Sequence, residues 1–195
     1  MRPLQYGMAF DYELCINCKA CVVACKEENG IELGADKHRL WIDSDDLDGD
    51  YFSLKRDRGS FKQVQQCQEC TNPFCLPVCP VDAITKDKNG IIQTDANTCI
   101  LCKKCIEVCP YDARYVDTKR SFADKCIFCS DTRLARGETT TACQITCPAK
   151  VRIFGDLDDK NSEISKILKK REYSQLEYGD NKPHLFYLKP IKNDY

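Results

Sequence analysis

Sixteen of the 195 residues are cysteines, and they fall into four groups of four. The first is Cys15, Cys18, Cys21 and Cys25, and the second is Cys67, Cys70, Cys75 and Cys79. The third is Cys99, Cys102, Cys105 and Cys109, and the fourth is Cys126, Cys129, Cys143 and Cys147. Groups one and three share the spacing C-x2-C-x2-C-x3-C. Pro80, Pro110 and Pro148 follow the last cysteine of groups two, three and four, whereas Lys26 stands there in group one. Thiolates at this spacing hold iron–sulfur clusters. A cubane cluster presents four iron corners, each needing one thiolate, and two-residue gaps let a loop wrap three neighbouring corners. The fourth cysteine, three residues on, is expected to begin a helix that points away, and therefore to ligate the neighbouring cluster.

Two other uses of dense cysteine fit less well. A disulfide needs Cβ atoms close and correctly aimed, which gaps of two or three residues rarely allow, so sixteen cysteines could pair only between groups. Four-cysteine zinc sites usually combine two C-x2-C pairs about 15 to 20 residues apart. Group four read alone has that form, but three cysteines at 2-2 spacing leave an odd ligand in groups one and three. A zinc-stapled interaction module is the rival from another functional class.

The ligand exchange predicts the pairing. Groups two and three combine, with Cys67, Cys70, Cys75 and Cys109 as one set and Cys99, Cys102, Cys105 and Cys79 as another. Groups one and four then combine, with Cys15, Cys18, Cys21 and Cys147 as a third set and Cys126, Cys129, Cys143 and Cys25 as a fourth. Iron is the expected metal at all sixteen, in four [4Fe–4S] clusters.

The elements that must position these groups are short and recur. Strand, cysteine group, short helix and strand repeat four times, and two repeats make one bacterial ferredoxin-like unit. Residues 6–11 read as a strand leading into Cys15, and residues 22–30 as one or two helical turns closed by Gly30. Residues 81–85 and 91–94 form a hairpin about Lys88, Asn89 and Gly90. Residues 113–116 and 151–154 are further strands. The expected fold is α+β: two two-cluster ferredoxin-like units with short helices and small hairpins, one inserted within the other. Residues 1–62 with 118–160 form the discontinuous unit, including an insertion at 31–62. Residues 63–117 form the continuous unit. Residues 161–195 carry an amphipathic helix at 162–171 and an extended, apolar docking tail at 182–188. The acidic run at 43–50 lacks the spacing and terminal Glu of a calcium loop and reads as solvated. Trp41, His38 and His184 read as packing or surface residues, outside every cysteine group.

The formal net charge is −1, so no global field recommends nucleic acid or an anionic membrane as partner. No run approaches the ~20 apolar residues of a membrane span, and the N-terminus has neither an apolar signal core nor twin arginines. No nucleophile–base pair, Gly-rich phosphate loop or nucleotide fingerprint is present, so no catalytic site of its own is expected. Four one-electron centres without a substrate pocket suggest a wire. Lys19, Lys103 and Lys104 lie inside the motifs and are expected to raise the cluster potentials.

Beyond the cysteines, the segments Cys109-Pro110-Tyr111-Asp112-Ala113-Arg114-Tyr115, Lys125–Cys129, Arg133–Gly137 and Phe154–Asp159 carry a wider resemblance. Over nearly its whole length the sequence resembles the four-cluster electron-transfer subunits of the dimethyl sulfoxide reductase-type molybdopterin oxidoreductases. Its compact length and its ending, Lys182–Leu188, look most like the polysulfide or thiosulfate reductase subunit. Some members of that family replace a cysteine of the third group and hold a three-iron cluster; Cys102 is present here, so four cubanes are expected. The resemblance implies a large molybdenum or tungsten catalytic subunit and a quinone-reactive membrane subunit as partners, with groups one and four facing the former and groups two and three the latter. It also implies a role in anaerobic respiration of a sulfur compound, with the subunit held on the periplasmic face of the membrane through its partner. A cytoplasmic carrier serving a hydrogenase, formate dehydrogenase or carbon monoxide dehydrogenase is the alternative.

Overall fold

A computed structural model describes residues 4–33, 38–42 and 64–190. The acidic run at 43–50 and most of the 31–62 insertion lie outside the described residues. The protein runs as four successive strand–cysteine–strand repeats. The first is β1 (Tyr6–Phe10), α1 (Ala20–Asn29) and β2 (Leu40–Ile42). The second is β3 (Val64–Gln66) and β4 (Ile84–Lys86), with consecutive turns in place of a helix. The third is β5 (Ile92–Thr94), α2 (Lys104–Glu107) and β6 (Arg114–Asp117), and the fourth is β7 (Phe122–Lys125), α3 (Ala142–Ile145) and β8 (Arg152–Asp156). Then come α4 (Glu163–Lys170), β9 (Tyr173–Ser174) and β10 (Leu185–Leu188).

Each repeat hands its closing strand to the opening strand of the next. β2 pairs with β3, β4 with β5 and β6 with β7, all antiparallel, and β8 returns to pair with β1. The ladders β2–β3 and β6–β7 therefore join stretches that the sequence assigns to different units. β1 is hydrogen-bonded on both sides, antiparallel to β8 and parallel to β10. Gly7 fits this double approach: a Cβ there would lie 2.9 Å from the His184 carbonyl oxygen and 2.8 Å from Leu157.

The extended tail thus docks on the protein's own first strand. Its residues Leu185 to Leu188 are all buried. α4 covers one face of this sheet. Ser162 caps it, accepting from the Ser165 N–H at 3.2 Å, and Ile164, Ile167 and Leu168 pack with Ala9, Phe186 and Leu188. Trp41 packs against His38 with ring centroids 4.6 Å apart and the planes tilted by 53°, and His184 is buried.

Candidate metal centres

The four cysteine loops share one backbone device. The residue before the second cysteine is left-handed in every group: Asn17, Glu69, Leu101 and Phe128 have φ between 47° and 55°. Three residues after the last cysteine of groups two, three and four, Asp82, Asp112 and Lys150 are left-handed as well. None of these is glycine, and such conformations cost about 1 kcal/mol or more each for L-residues. Repeating that cost at matching positions marks a functional loop. The turn aims backbone N–H groups at sulfur: the N–H of Glu69 favours the Cys67 thiolate, and that of Phe128 favours Cys126. Ala83 N–H donates to Cys79 Sγ at 3.3 Å.

The structure also corrects the placing of the helices. α1 begins at Ala20, just before the third cysteine of its group, and α2 begins at Lys104, just before Cys105. In α1, Cys21 and Cys25 stand four apart, one above the other on a single face. Cys109 follows α2 instead of beginning it. A helix can start at the third cysteine because the left-handed Lys19 or Lys103 turns the backbone into it.

Those positions distribute the cysteines over separate cavities. Cys15, Cys18, Cys21 and Cys147 line one cavity of about 320 Å³ beneath Phe10 and Pro148, partly open to solvent. Cys79, Cys99, Cys102 and Cys105 line a second of about 330 Å³. Cys25, Cys126, Cys129 and Cys143 line a third of about 280 Å³. The remaining four gather around two buried residues. Burial and neighbouring Cys75 push the Cys70 thiol up to about 12, with Cys109 and Tyr111 also close. Arg114 Nη2 donates to Cys75 Sγ at 3.2 Å and lies beside Cys67. Three of the predicted groupings thus line one cavity each, while Cys70, Cys75 and Cys109 lie near one another and Cys67 meets them through Arg114.

This arrangement suits a multi-iron cage better than a single ion. Among the described residues, no three Cys, His, Asp or Glu side chains converge closely enough to hold one metal ion. Structural zinc needs four donors about 2.3 Å from one point. Burial raises the thiols of Cys21, Cys25, Cys67, Cys105, Cys126 and Cys129, so these sites hold neutral thiols until a metal displaces the protons. The cavity of Cys15 is also lined by Arg152, whose Nη2 is buried without a hydrogen-bond acceptor in the protein. An orphaned N–H beside four thiols fits a group that brings its own sulfide.

A 4Fe-4S dicluster domain matches residues 60–157, and a 4Fe-4S binding domain matches residues 8–28. One of the polysulfide reductase chains of Wolinella succinogenes is 40% identical over 184 residues, covering 93% of the present sequence and 93% of that protein. This protein belongs to the iron–sulfur subunit family of these reductases. The iron–sulfur subunit is also 37% identical over 191 residues to the thiosulfate reductase electron transfer subunit of Salmonella typhi, covering 97% of its own length and 95% of that protein. A tetrathionate reductase subunit of Salmonella typhimurium is 34% identical over 192 residues, covering 94% of the present sequence and 72% of that protein. The cofactors of the subunit are four [4Fe–4S] clusters, in keeping with its sixteen cysteines and both matched domains. Among the described residues, no helix is long and apolar enough to cross a membrane.

Several buried polar residues around the cysteines escape a reading of motifs. Arg114, Arg152, Lys125 and Glu69 are each at most 4% exposed. Arg114 and Arg152 both stand five residues after the cysteine of a Cys-Pro pair, Cys109 and Cys147. Aligning the repeats would have found that register. Nothing local marks Lys125 or Glu69. Asn29 and Arg39 form a second network: Arg39 Nη1 donates to Asn29 Oδ1 at 2.8 Å, and Asn29 Nδ2 donates to the Cys25 carbonyl at 2.7 Å.

Proposed function

We propose that this protein relays electrons, one at a time, between a molybdopterin catalytic subunit and a quinone-reactive membrane subunit, in anaerobic respiration of a sulfur compound such as polysulfide or thiosulfate. The ligands we assign are Cys15, Cys18, Cys21 and Cys147 (first set); Cys126, Cys129, Cys143 and Cys25 (second); Cys99, Cys102, Cys105 and Cys79 (third); and Cys67, Cys70, Cys75 and Cys109 (fourth). Clusters held there supply one-electron storage with little rearrangement of the protein. Residues 1–62 with 118–160 then form a discontinuous two-cluster half, and residues 63–117 a continuous one.

One observation carries the reading. Shared buried residues link neighbouring members of the proposed cysteine sets in succession, which supports a relay. Arg152 lines the cavity of the first set and donates to Cys143 of the second at 3.7 Å. The Lys125–Glu69 ion pair lies between Cys126 of the second set and Cys67 of the fourth. Arg114 contacts Cys75 of the fourth and lies beside Cys105 of the third. The order is first, second, fourth, third. The exposed cysteines, Cys18 and Cys102, belong to the two terminal sets. Exposed Leu14 and Ile16 flank one end and exposed Ile100 the other. A succession of protected sites with one accessible edge at each end suits a relay between two protein partners. We assign the end with Cys18 to the catalytic subunit and the end with Cys102 to the membrane subunit, on the periplasmic face.

The test is anaerobic purification with native partners, followed by iron and sulfide analysis and electron paramagnetic resonance (EPR). About sixteen iron atoms per molecule are expected for four cubanes, and far fewer would overturn the assignment. Cys109→Ala should damage the cluster of the fourth set more than that of the third. Spectra showing the reverse would overturn the pairing.

A further inference from the structure

Four buried cationic side chains stand along the cysteine sets, and they differ in one respect. Arg39, which lines the cavity of Cys25, Cys126, Cys129 and Cys143, is neutralised by Asp124 at 2.8 Å. Lys125 is neutralised by Glu69, with both side chains 1% exposed. Among the described residues, Arg114 and Arg152 make no ion pair with a carboxylate. Arg152 donates from Nη1 to Gln66 Oε1 at 2.9 Å and to Met8 Sδ at 3.2 Å, and its guanidinium lies 5.5 Å from the Phe10 ring centroid. Arg114 donates from Nη1 to Thr94 Oγ1 at 3.1 Å, and Thr94 lines the cavity of Cys99, Cys102 and Cys105. All these oxygen and thioether acceptors are neutral. The anions left to balance each guanidinium are the cysteine thiolates on either side of it.

An unpaired buried charge is costly, so two of them in a protein of this size call for a reason. The internal repeat strengthens the case. Arg114 opens β6 and Arg152 opens β8, and each stands five residues beyond the cysteine that crosses to the other set. The same residue therefore occupies the same place in both halves, between the two sets of each. At the junction between the halves the cation carries its own counter-charge.

We propose that Arg114 and Arg152 are the potential-setting cations of the two halves, each shared by both sets of its half, and that Glu69 keeps the junction between the halves neutral. The inference rests on the ligand sets proposed above. Reduction adds one negative charge, and a fixed positive charge in a low-dielectric interior favours it. A cation between two sites raises the potential of both. It also holds them level, because an electron moving from one to the other stays beside the same charge. Both arginines act through the cysteines they touch and are positioning residues.

The experiment is a redox titration followed by EPR on the complete complex, for Arg152→Gln, Arg152→Lys, Arg114→Gln, Arg114→Lys and Glu69→Gln. Each arginine-to-glutamine change should lower two midpoints and leave two in place, and the two changes should move disjoint pairs. The lysine variants should restore most of the shift. Glu69→Gln leaves Lys125 uncompensated and should move midpoints the opposite way, upward. Four unmoved midpoints with full iron content would overturn the inference, as would equal movement of all four. Loss of iron in both the glutamine and lysine variants would reduce the arginines to structural parts and overturn it too. Failure of the ligand sets is separate: it appears as the wrong cluster damaged in Cys109→Ala, whatever the arginine variants do.

Discussion

The half proposed for groups one and four and the half proposed for groups two and three solve one problem with different amounts of protein. In the two–three half the cysteines sit on turns and on α2, which has four residues, and Cys-Pro closes both groups. In the one–four half, Lys26 replaces the proline and α1 runs on to Asn29. It ends in a Schellman arrangement: Gly30 is left-handed, Ile31 N–H donates to the Lys26 carbonyl at 2.9 Å, and Gly30 N–H donates to that of Glu27 at 3.4 Å. The extra turn delivers Asn29. Asn29 ties Cys25 to Arg39, and Arg39 makes a two-pronged bond to Asp124 at 2.8 and 3.0 Å. Asp124 also accepts from Tyr115 of the other half at 2.6 Å. With lysine in place of proline the helix continues past Cys25, and its last residue joins a buried polar network that the two–three half lacks at the matching position.

The largest effect should come from restoring the repeat. Lys26→Pro would remove a helical N–H and clash with the Val22 carbonyl, costing about 3 kcal/mol or more. The one–four half should lose its clusters while the two–three half keeps them, read by iron content and EPR. Equal loss from both halves would erase the distinction drawn above.

Arg39→Met should follow. It takes the two-pronged partner from buried Asp124, leaving it only the Tyr115 hydroxyl and half-exposed Arg120 at 3.4 Å, and removing one partner of a buried pair costs up to about 3–5 kcal/mol. Anaerobic thermal unfolding checks it. A double variant with Asp124→Leu should recover part of the loss, because no buried charge then remains.

A smaller effect tests the seam between the halves. His184 Nε2 accepts from Gln5 Nε2 at 2.8 Å and lies 3.0 Å from Thr71 Oγ1, while the His184 backbone N–H donates to the Gln68 carbonyl at 2.7 Å. Burial, then Lys86, lowers its pKa to about 4 from 6.5. The unfolded state therefore takes up the proton first, and stability falls as pH drops below about 6.5. Between about pH 7 and pH 5 the loss should be about 2 kcal/mol. Unfolding temperatures across that range should show it, and His184→Gln should flatten the dependence.

The smallest effect concerns the lysines inside the motifs. Lys19 and Lys103 occupy the same left-handed position in groups one and three, and Lys19 Nζ donates to the Ile42 carbonyl at 2.9 Å. Exposed charges are screened by salt. Lys103→Gln and Lys104→Gln should therefore move a midpoint less than either arginine variant does, and less again at high ionic strength. A larger shift than that of Arg114→Gln would reverse the ranking of buried over exposed charge.

Much of this was legible in the residues. Spacing alone marked the four groups, because thiolates on one loop must reach neighbouring corners of one cage. Gly30, the hairpin about Asn89 and Gly90, and the apolar stripe of Ile164, Ile167 and Leu168 named their elements through local geometry. Other features have no local signal. β7 carries Asp124 and Lys125, charged residues that a reading by hydropathy leaves outside a core, yet all four of its residues are buried. Their partners, Arg39 and Glu69, lie 85 and 56 residues away.

The sequence by itself determined the ligand types, their number and the fourfold repeat, since these depend on residues a few positions apart. Only the tertiary structure decided what lies between the cysteine sets. The placing of a bare guanidinium inside each half and a neutral ion pair at their junction depends on strands closing from β8 back to β1, and on contacts between residues far apart in the sequence. Charge at a distance of a few ångströms governs an electron's energy, and sequence separation carries no information about that distance.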